Sequence, residues 1–438
     1  LYMRFERKTI WQYILSGLLL CLLTASGAFA QVSGTVYQDL NANGAQGTAT
    51  PNLETGYGGI TVKAFNAAGT MVASTTTDAN GTYTLTGVTG PVRVEFSGLP
   101  AAYYSGPVGS QNATSVQFVT GPASNVNFGI NYPANYCQSN PNLATPCYVN
   151  GVASGTGDVL VSWPYSNNST TGTMNHLATQ AQIGSTYGLA YERTGKLLYS
   201  SSYLKRHVGL PDFNNDGKGD LGNIFVTNTT TNATSLWLDL TTLGINFGSI
   251  GNDASRGLGG LTAPSNDPTS FSLVGNVGIG DIDISDDGST LYLTNLYDKK
   301  LYAVDIATKS LKGSWTVPQT CSNNEAVNFG LKYYQGNIYI GQTCTAQTSQ
   351  LKSDLTATVF KFDGTTFTSV LTFPLNYGKG EFQGGTLCSS NKDWNPWTSS
   401  FPPTCFNQNQ VVGYPQAILS DIEFEPYDGR MIIGLRDR

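Results

Sequence analysis

The segment from Asp212 to Asp220 has the residue types and spacing of a calcium-binding turn. Oxygen-bearing residues recur at every second position, and Gly217 occupies position six, where such a loop needs a left-handed turn. The predicted ligands, at positions one, three, five, seven (through its carbonyl) and nine, are Asp212, Asn214, Asp216, Lys218 and Asp220. Position twelve is Asn223 instead of a bidentate glutamate, and no flanking helices are evident. The pattern predicts a structural Ca²⁺ turn between strands, and its alternative is a solvated polar turn.

Histidine chemistry has few candidates, because the chain contains only His176 and His207. His207 follows Lys205 and Arg206, a setting that suggests catalysis. No nucleophile is spaced to pair with it, so we interpret His207 as structural. The sequence therefore predicts no catalytic residue.

Three aspartates form a second group with possible chemistry. Asp281, Asp283 and Asp421 lie in or before predicted strands, where residues at equivalent places of a repeat face a common axis. Paired carboxylates in a channel can do acid/base chemistry. More often such carboxylates accept hydrogen bonds from neighbouring backbone amides, and that is the interpretation we favour.

Four β-hairpins with related sequences position these aspartates. Each has two apolar runs of period two around a turn rich in Gly or Asp, which is typical of antiparallel strands. The longest copy, at residues 278–308, is predicted to form three strands with two tight turns, and its two-strand core recurs at 186–202, 327–341 and 419–434. One such unit cannot bury its own apolar face, so the copies must stack, and a stacked meander is the unit of a β-propeller.

The composition also favours an all-β fold. The chain has 438 residues, with 50 Gly, 24 Tyr and only 12% charged residues. This is rich in turn formers and aromatics and poor in the residues that favour helices. The formal net charge is -6 and no basic run is visible, so nucleic acid is not an expected partner.

The first 30 residues are typical of a secretory signal peptide. Arg4, Arg7 and Lys8 precede an apolar run at 10–23, and an Ala-Phe-Ala site ends at Ala30. A membrane anchor is the alternative, but the run is short for a span. The mature chain is expected to have no membrane span and to be secreted or on the cell surface.

Six cysteines remain after the signal peptide, and an even number in an exported chain predicts disulfides. Six cysteines allow 15 connectivities, so spacing alone does not decide the pairing. The pairing between cysteines nearest in sequence is Cys137–Cys147, Cys321–Cys344 and Cys388–Cys405. Free buried thiols are the alternative, and the absence of a C-x-x-C pair disfavours zinc.

Residues 31–132 carry a family resemblance. The segments VSGTVYQDLNANG, GYGGITVKAFNAAG and TTTDANGTYTLTGV resemble the B-type repeat of serine-aspartate-repeat surface adhesins (SdrD B-like), which is related to the collagen-adhesin B domain. The resemblance implies an immunoglobulin-like β-sandwich whose loop binds calcium. The residues that match this loop are Asp39, Asn41, Asn43 and Glu54. Asn43 replaces an aspartate of the family pattern, and a simple polar hairpin turn is the alternative.

The remaining residues are assigned to a linker at 133–156 and to a β-propeller at 157–438. This second region is similar to a propeller module found beside such repeats in large secreted bacterial surface proteins. We expect the propeller to be incomplete at Arg438, with further blades beyond it, and translation to begin at Met3.

The predicted function is that of a secreted or cell-surface protein without enzymatic activity. It would combine a calcium-stiffened adhesin-type module with a propeller that binds an extracellular protein or glycan. The alternative is an extracellular propeller hydrolase or lyase acting on polysaccharide. That alternative requires carboxylates that converge in one pocket with displaced pKa values.

Overall fold

The computed structural model describes residues 30–48, 54–135, 140–167, 172–379, 393–400, 414–425 and 429–438. The chain divides into two compact units, with the boundary between residues 136 and 137. Both units are built from β-strands. The described helices are α1 (Gln180–Ile183), α2 (Pro268–Phe271) and the 3-10 turns Pro133–Asn135, Leu240–Leu243, Ser322–Asn324 and Lys352–Asp354.

No helix within these described ranges is both long and apolar enough to cross a lipid bilayer. The predicted signal peptide at 1–30 lies outside them except for Ala30, so the signal remains a prediction.

The first unit consists of two four-stranded sheets. Its strands are β1 (Gln31–Gln38), β2 (Thr61–Phe65), β3 (Met71–Thr76), β4 (Thr82–Thr86), β5 (Gly90–Ser97), β6 (Tyr104–Ser105), β7 (Val116–Gly121) and β8 (Phe128–Asn131). One sheet has the order β4-β1-β8-β6 and the other β3-β2-β5-β7. The pairing of β1 with β8 is parallel, and the other pairings are antiparallel.

Period-two alternation explains how these two sheets share a core. In β4 the side chains of Tyr83 and Leu85 are buried while their neighbours are exposed. Val62 of β2 and Val94 of β5 come from the other sheet and belong to the same apolar cluster. The predicted turn before β4 is also present, since Asp78 accepts hydrogen bonds from the backbone of Asn80 and Thr82.

The second unit contains one three-stranded sheet, three four-stranded sheets and one two-stranded sheet in its described residues. Its first strands are β9 (Asn142–Pro146), β10 (Asp158–Pro164), β11 (Asn175–Thr179), β12 (Thr186–Glu192), β13 (Leu197–Ser202), β14 (Asn223–Asn228) and β15 (Ala233–Asp239). The next are β16 (Ile279–Ile284), β17 (Thr290–Asn295), β18 (Lys300–Asp305) and β19 (Leu311–Thr316). The last are β20 (Ala326–Tyr334), β21 (Asn337–Cys344), β22 (Thr356–Phe362), β23 (Phe367–Pro374), β24 (Ala417–Phe424) and β25 (Met431–Asp437).

The four predicted hairpins are confirmed as β12–β13, β16–β17, β20–β21 and β24–β25. The first three continue as meanders in the order β12 to β15, β16 to β19 and β20 to β23. The predicted linker differs from the structure, because residues 142–146 form β9 and pair with β10. This segment is rich in Asn and Pro, but it is an edge strand ending at Pro146, where a missing N–H is tolerated.

The first strands of the four hairpins lie side by side, although they belong to different sheets. Each of these strands contains a register shift in its pairing with the following strand. In three of them the shift coincides with a glycine: Gly188, Gly280 and Gly330. These strands are called the inner strands below.

The three glycines allow the next inner strand to approach closely. A Cβ atom at Gly330 would lie 3.0 Å from the backbone nitrogen of Asp421 in β24. A Cβ at Gly280 would lie 3.0 Å from the backbone oxygen of Phe329, and one at Gly188 would lie 2.8 Å from the nitrogen of Ile282. A Cβ at Gly188 would require the neighbouring backbone to move, and one at Gly280 or Gly330 would be tighter than nearly all real Cβ contacts with that backbone, so glycine favours this spacing of the inner strands.

Candidate functional site

A cavity of about 510 Å³ lies within the second unit. Residues of all four inner strands line it, together with residues of β9. Its polar wall consists of Asp281, Asp283, Lys332, Asp421 and Glu423. Tyr148 and Tyr187 add two aromatic side chains. The predicted channel aspartates are therefore brought together in one cavity.

Asp281 and Asp283 bind the backbone of the neighbouring inner strand. Asp281 accepts hydrogen bonds from the N–H of Ile282 at 2.9 Å and of Leu331 at 3.1 Å. Asp283 accepts equivalent bonds from Ile284 at 2.8 Å and Tyr333 at 2.7 Å. The two carboxylates thus connect β16 to β20, two strands that do not share a hydrogen-bonded ladder.

Lys332 is the cation of the cavity. Its ammonium lies 2.8 Å from Glu423 Oε1 and 3.8 Å from Asp283 Oδ2. Burial by itself would lower the pKa of Lys332, but Asp283 and Glu423 raise it above its usual value. One lysine faces four carboxylates, so the wall keeps an excess of negative charge.

Burial, with a contribution from the neighbouring carboxylates, raises the pKa values of the three aspartates. Burial and then the Asp421 carboxylate raise the pKa of Asp281 well above its usual value, although two backbone amides oppose the shift. Burial also raises the pKa of Asp283, against the opposing effect of Lys332. The pKa of Asp421 is raised by burial and by Glu423. Three carboxyl groups with displaced pKa values therefore share one cavity.

An arginine stacked on aromatic rings lies next to the two cavity tyrosines. The Arg436 guanidinium lies 4.6 Å from the ring centre of Tyr187, 4.8 Å from that of Tyr203 and 5.7 Å from that of Phe329. It also donates to the hydroxyl of Tyr203 at 2.8 Å and of Tyr148 at 3.4 Å. Arg436 therefore ties β25 to the segments that follow β9 and β13.

The loop from Asp212 has the turn geometry that its sequence predicts. Asp212 accepts hydrogen bonds from the backbone of Asp216 at 3.0 Å and Gly217 at 3.2 Å. Asn214 accepts from Asp216 at 3.0 Å, and Asp216 accepts from Lys218 at 2.9 Å. Gly217 has φ of +80°, as a left-handed turn requires.

The end of this loop departs from an EF-hand. Asp220 accepts from the backbone N–H of Phe213 at 3.0 Å and from the amide of Asn223 at 3.1 Å. Asn223, at position twelve, therefore donates to Asp220 instead of offering an oxygen. Burial raises the pKa of Asp220.

The loop from Asp39 repeats the same bonding pattern in the first unit. Asp39 accepts from the backbone of Asn43 at 3.0 Å and Gly44 at 2.9 Å. Asn41 accepts from Asn43 at 3.1 Å, and Asn43 accepts from the N–H two residues later at 2.8 Å. Each hydrogen bond has its counterpart in the loop from Asp212, at the same spacing.

Glu54 accepts hydrogen bonds from the backbone of the loop from Asp39. Its two oxygens accept from the backbone of Leu40 at 2.9 Å and Gly47 at 2.8 Å. Burial raises the pKa of Glu54, and three backbone amides oppose that shift. In the described part of the chain, no group of three or more His, Cys, Asp or Glu side chains is arranged to hold a metal ion. Amide and carbonyl oxygens would therefore have to complete either loop.

The two histidines have structural partners. His207 has φ of +66°, and its backbone N–H donates to Asp267 at 3.0 Å. Its Nδ1 lies 2.7 Å from the hydroxyl of Ser265, a partner 58 residues away that local spacing did not reveal. Burial and then Arg206 lower the pKa of His207. His176 is paired with Asp158 at 2.7 Å.

Cys321, before β20, and Cys344, at the end of β21, lie at the distance of a disulfide. The other two predicted pairs remain predictions because they include residues outside the described ranges: Cys137, Cys388 and Cys405.

Comparison with known families identifies one match. The SdrD B-like domain model matches residues 30–130, which supports the B-type repeat that the sequence suggested. This match lies within the first unit.

Curated relatives cover nearly the whole chain. Colossin-B of Dictyostelium discoideum is 29% identical over 424 residues, which are 93% of this chain and 10% of that protein. Colossin-D of the same organism is 26% identical over 429 residues, which are 93% of this chain and 43% of that protein. The chain therefore spans only part of the length of these relatives.

Solved structures share low identity with the chain. A nidogen/laminin complex covers 55% of this chain and 65% of its own at 11% identity, with a TM-score of 0.30. Glutaminyl cyclase from Myxococcus xanthus covers 67% and 92% at 13% identity, with a TM-score of 0.29. The strand order of the sheets, and not these similarities, defines the fold.

We predict that Asp283→Asn destabilises the second unit by about 1–3 kcal/mol. An amide offers one acceptor oxygen, so the partly buried N–H of either Ile284 or Tyr333 would face an NH₂ group. The measurement is a denaturant titration that follows the second unit. Glu423→Gln is the matched control, because this side chain lines the same cavity but is 52% exposed. Equal stability of Asp283→Asn and the wild type would contradict the bridging role.

Proposed function

We propose that this chain is part of a secreted or cell-surface protein that binds an extracellular partner. Its first unit would be an immunoglobulin-like β-sandwich stiffened by calcium, and its second a β-propeller that carries the binding surface. The observation that carries the proposal is the match of residues 30–130 to the SdrD B-like domain. The partner would be an extracellular protein or glycan.

The arrangement of the second unit supports the propeller assignment. Three consecutive four-stranded meanders have the antiparallel order of propeller blades. Their first strands, with β24, lie side by side and line one cavity. Blades radiating from a common axis place their first strands in this way. The described part of the last sheet contains only β24 and β25.

The paired loops support calcium binding. Carboxylate and amide oxygens are the hard ligands that Ca²⁺ prefers. In both loops, backbone N–H groups hold the side chains at positions one, three and five by the same set of hydrogen bonds. Such pre-ordering lowers the entropy cost of binding an ion. Asp212, Asn214, Asp216 and Asp220 with the carbonyl of Lys218 would form one site, and Asp39, Asn41, Asn43 and Glu54 the other.

Calcium is expected to raise the melting temperature of the protein. An ion at about 100 times its dissociation constant would stabilise the folded state by about 2.7 kcal/mol. Asp216→Asn is expected to weaken this effect, because the amide keeps an oxygen for the Lys218 N–H but removes one charge. Asp363→Asn is the matched control, since Asp363 makes the same kind of turn with Thr365 outside both loops. A melting curve that a chelator leaves unchanged would contradict calcium binding.

One observation favours a second candidate function, an extracellular hydrolase or lyase acting on polysaccharide. Asp281, Asp283 and Asp421 share a cavity and have raised pKa values. Raised carboxyl pKa values in a cleft are typical of general acids. The bonds of Asp281 and Asp283 to backbone amides weigh against this role, because each of these carboxylates already holds two backbone N–H groups in place.

A substrate screen distinguishes the two candidates. We expect no turnover of glycan or ester substrates by the wild type. Asp281→Asn, Asp283→Asn and His207→Ala should change stability and leave partner binding largely intact. Robust turnover that one of these variants abolishes at an unaltered melting temperature would favour the enzyme, because loss of a catalytic group lowers turnover without unfolding the protein.

A further inference from the structure

Positive side chains gather around Tyr148, one of the two cavity tyrosines. The Lys205 ammonium lies 5.8 Å from the ring centre of Tyr148, and Arg436 donates to the hydroxyl of the same tyrosine. Arg206 and Arg438 lie nearby, both over the ring of Phe271. The chain as a whole has a net charge of -6, so this grouping is opposite in sign to the average surface.

Lys205 has unused hydrogen-bonding capacity. Its ammonium makes no hydrogen bond and no ion pair with any residue that the structure describes. The nearest acidic influence is Asp437, whose Oδ1 accepts the backbone N–H of Gln416 at 2.8 Å. Burial and then Arg436 lower the pKa of Lys205 to about 8. The charge of an anion beside this ammonium would oppose both effects, and the anion could accept hydrogen bonds from its N–H groups.

The aromatic ring beside Lys205 indicates what kind of anion fits. Tyr148 is 40% exposed, so one part of its ring is accessible to a ligand. The adjacent lysine and arginine would bind a negative group held at the edge of that ring. A sugar ring that carries a carboxylate has both features, an apolar face to stack on tyrosine and an anion to bind the ammonium. An acidic peptide supplies the anion but no rigid ring.

We propose that Lys205, Arg436 and Tyr148 form a subsite for a uronic acid residue of an acidic polysaccharide. Lys205 binds the carboxylate, Tyr148 contacts the face of the sugar ring, and Arg436 orients the tyrosine hydroxyl. The subsite rests on the proposed function, because it identifies the glycan that the second unit would bind.

The test is calorimetric titration of the intact chain, with calcium present, using hyaluronan oligosaccharides as the probe. We expect binding that added salt weakens, since a charge contact at a partly exposed site is screened. Lys205→Gln is expected to weaken the affinity about tenfold or more, the effect of losing one charge-assisted hydrogen bond. Tyr148→Ala should also weaken it. Lys312→Gln is the matched control, because Lys312 is an exposed lysine of β19 that lies 3.8 Å from Asp305.

Three results would overturn the subsite. They are no binding of hyaluronan, equal affinity for the carboxyl-reduced oligosaccharide, and equal affinity of Lys205→Gln and the wild type. Binding of polyglutamate without binding of hyaluronan would identify an acidic protein segment instead and would also refute the sugar assignment. A chain that keeps its calcium-dependent melting shift and binds polyglutamate would retain the proposed function while losing this subsite.

Discussion

The second unit depends on a close backbone approach between strands of different sheets. At Gly188, Gly280 and Gly330, the backbone of the next inner strand lies within 3.0 Å of the position that a Cβ atom would take. The register shift at each glycine bends the strand locally and moves its partner by one residue. Neighbouring inner strands can then lie side by side without a ladder of backbone hydrogen bonds between them. The cavity and its lining follow from this spacing.

The carboxylates of the cavity provide hydrogen bonds between neighbouring inner strands, which belong to different sheets and form no backbone ladder with each other. An inner strand is the edge of its own sheet, so some of its backbone N–H groups would face a neighbour without an acceptor. Asp281 and Asp283 accept two of these groups from β20. The hydroxyl of Thr343 likewise accepts a hydrogen bond from the N–H of Leu419 in β24. The same carboxylates leave the cavity negative, while Lys205 and Arg436 place positive charge beside Tyr148. One set of contacts therefore contributes to both packing and the electric field of the site.

Much of the local structure could be predicted from the sequence. Period-two runs around Gly and Asp turns located the four hairpins, and Gly217 in an alternating oxygen pattern located the turn that Asp212 organises. Features that depend on distant residues were missed. The Asn- and Pro-rich segment at 142–146 lacks a strand pattern, but its edge lines the cavity. The pairing of His207 with Ser265 and the approach of Lys205 to Arg436 join residues 58 and 231 positions apart, which no local pattern encodes.

Replacement of an inner-strand glycine tests the central claim most directly. Thermal and denaturant unfolding would be compared for the wild type, Gly330→Ala and Gly260→Ala. A Cβ at Gly260 meets no atom within 4 Å and has no unfavourable backbone angle, so this variant controls for the change from glycine to alanine. We predict a loss of about 1–3 kcal/mol or more for Gly330→Ala, the usual cost of overpacking, and a change within about 0.5 kcal/mol for Gly260→Ala. Equal stability of Gly330→Ala and the wild type would contradict the close approach of the inner strands.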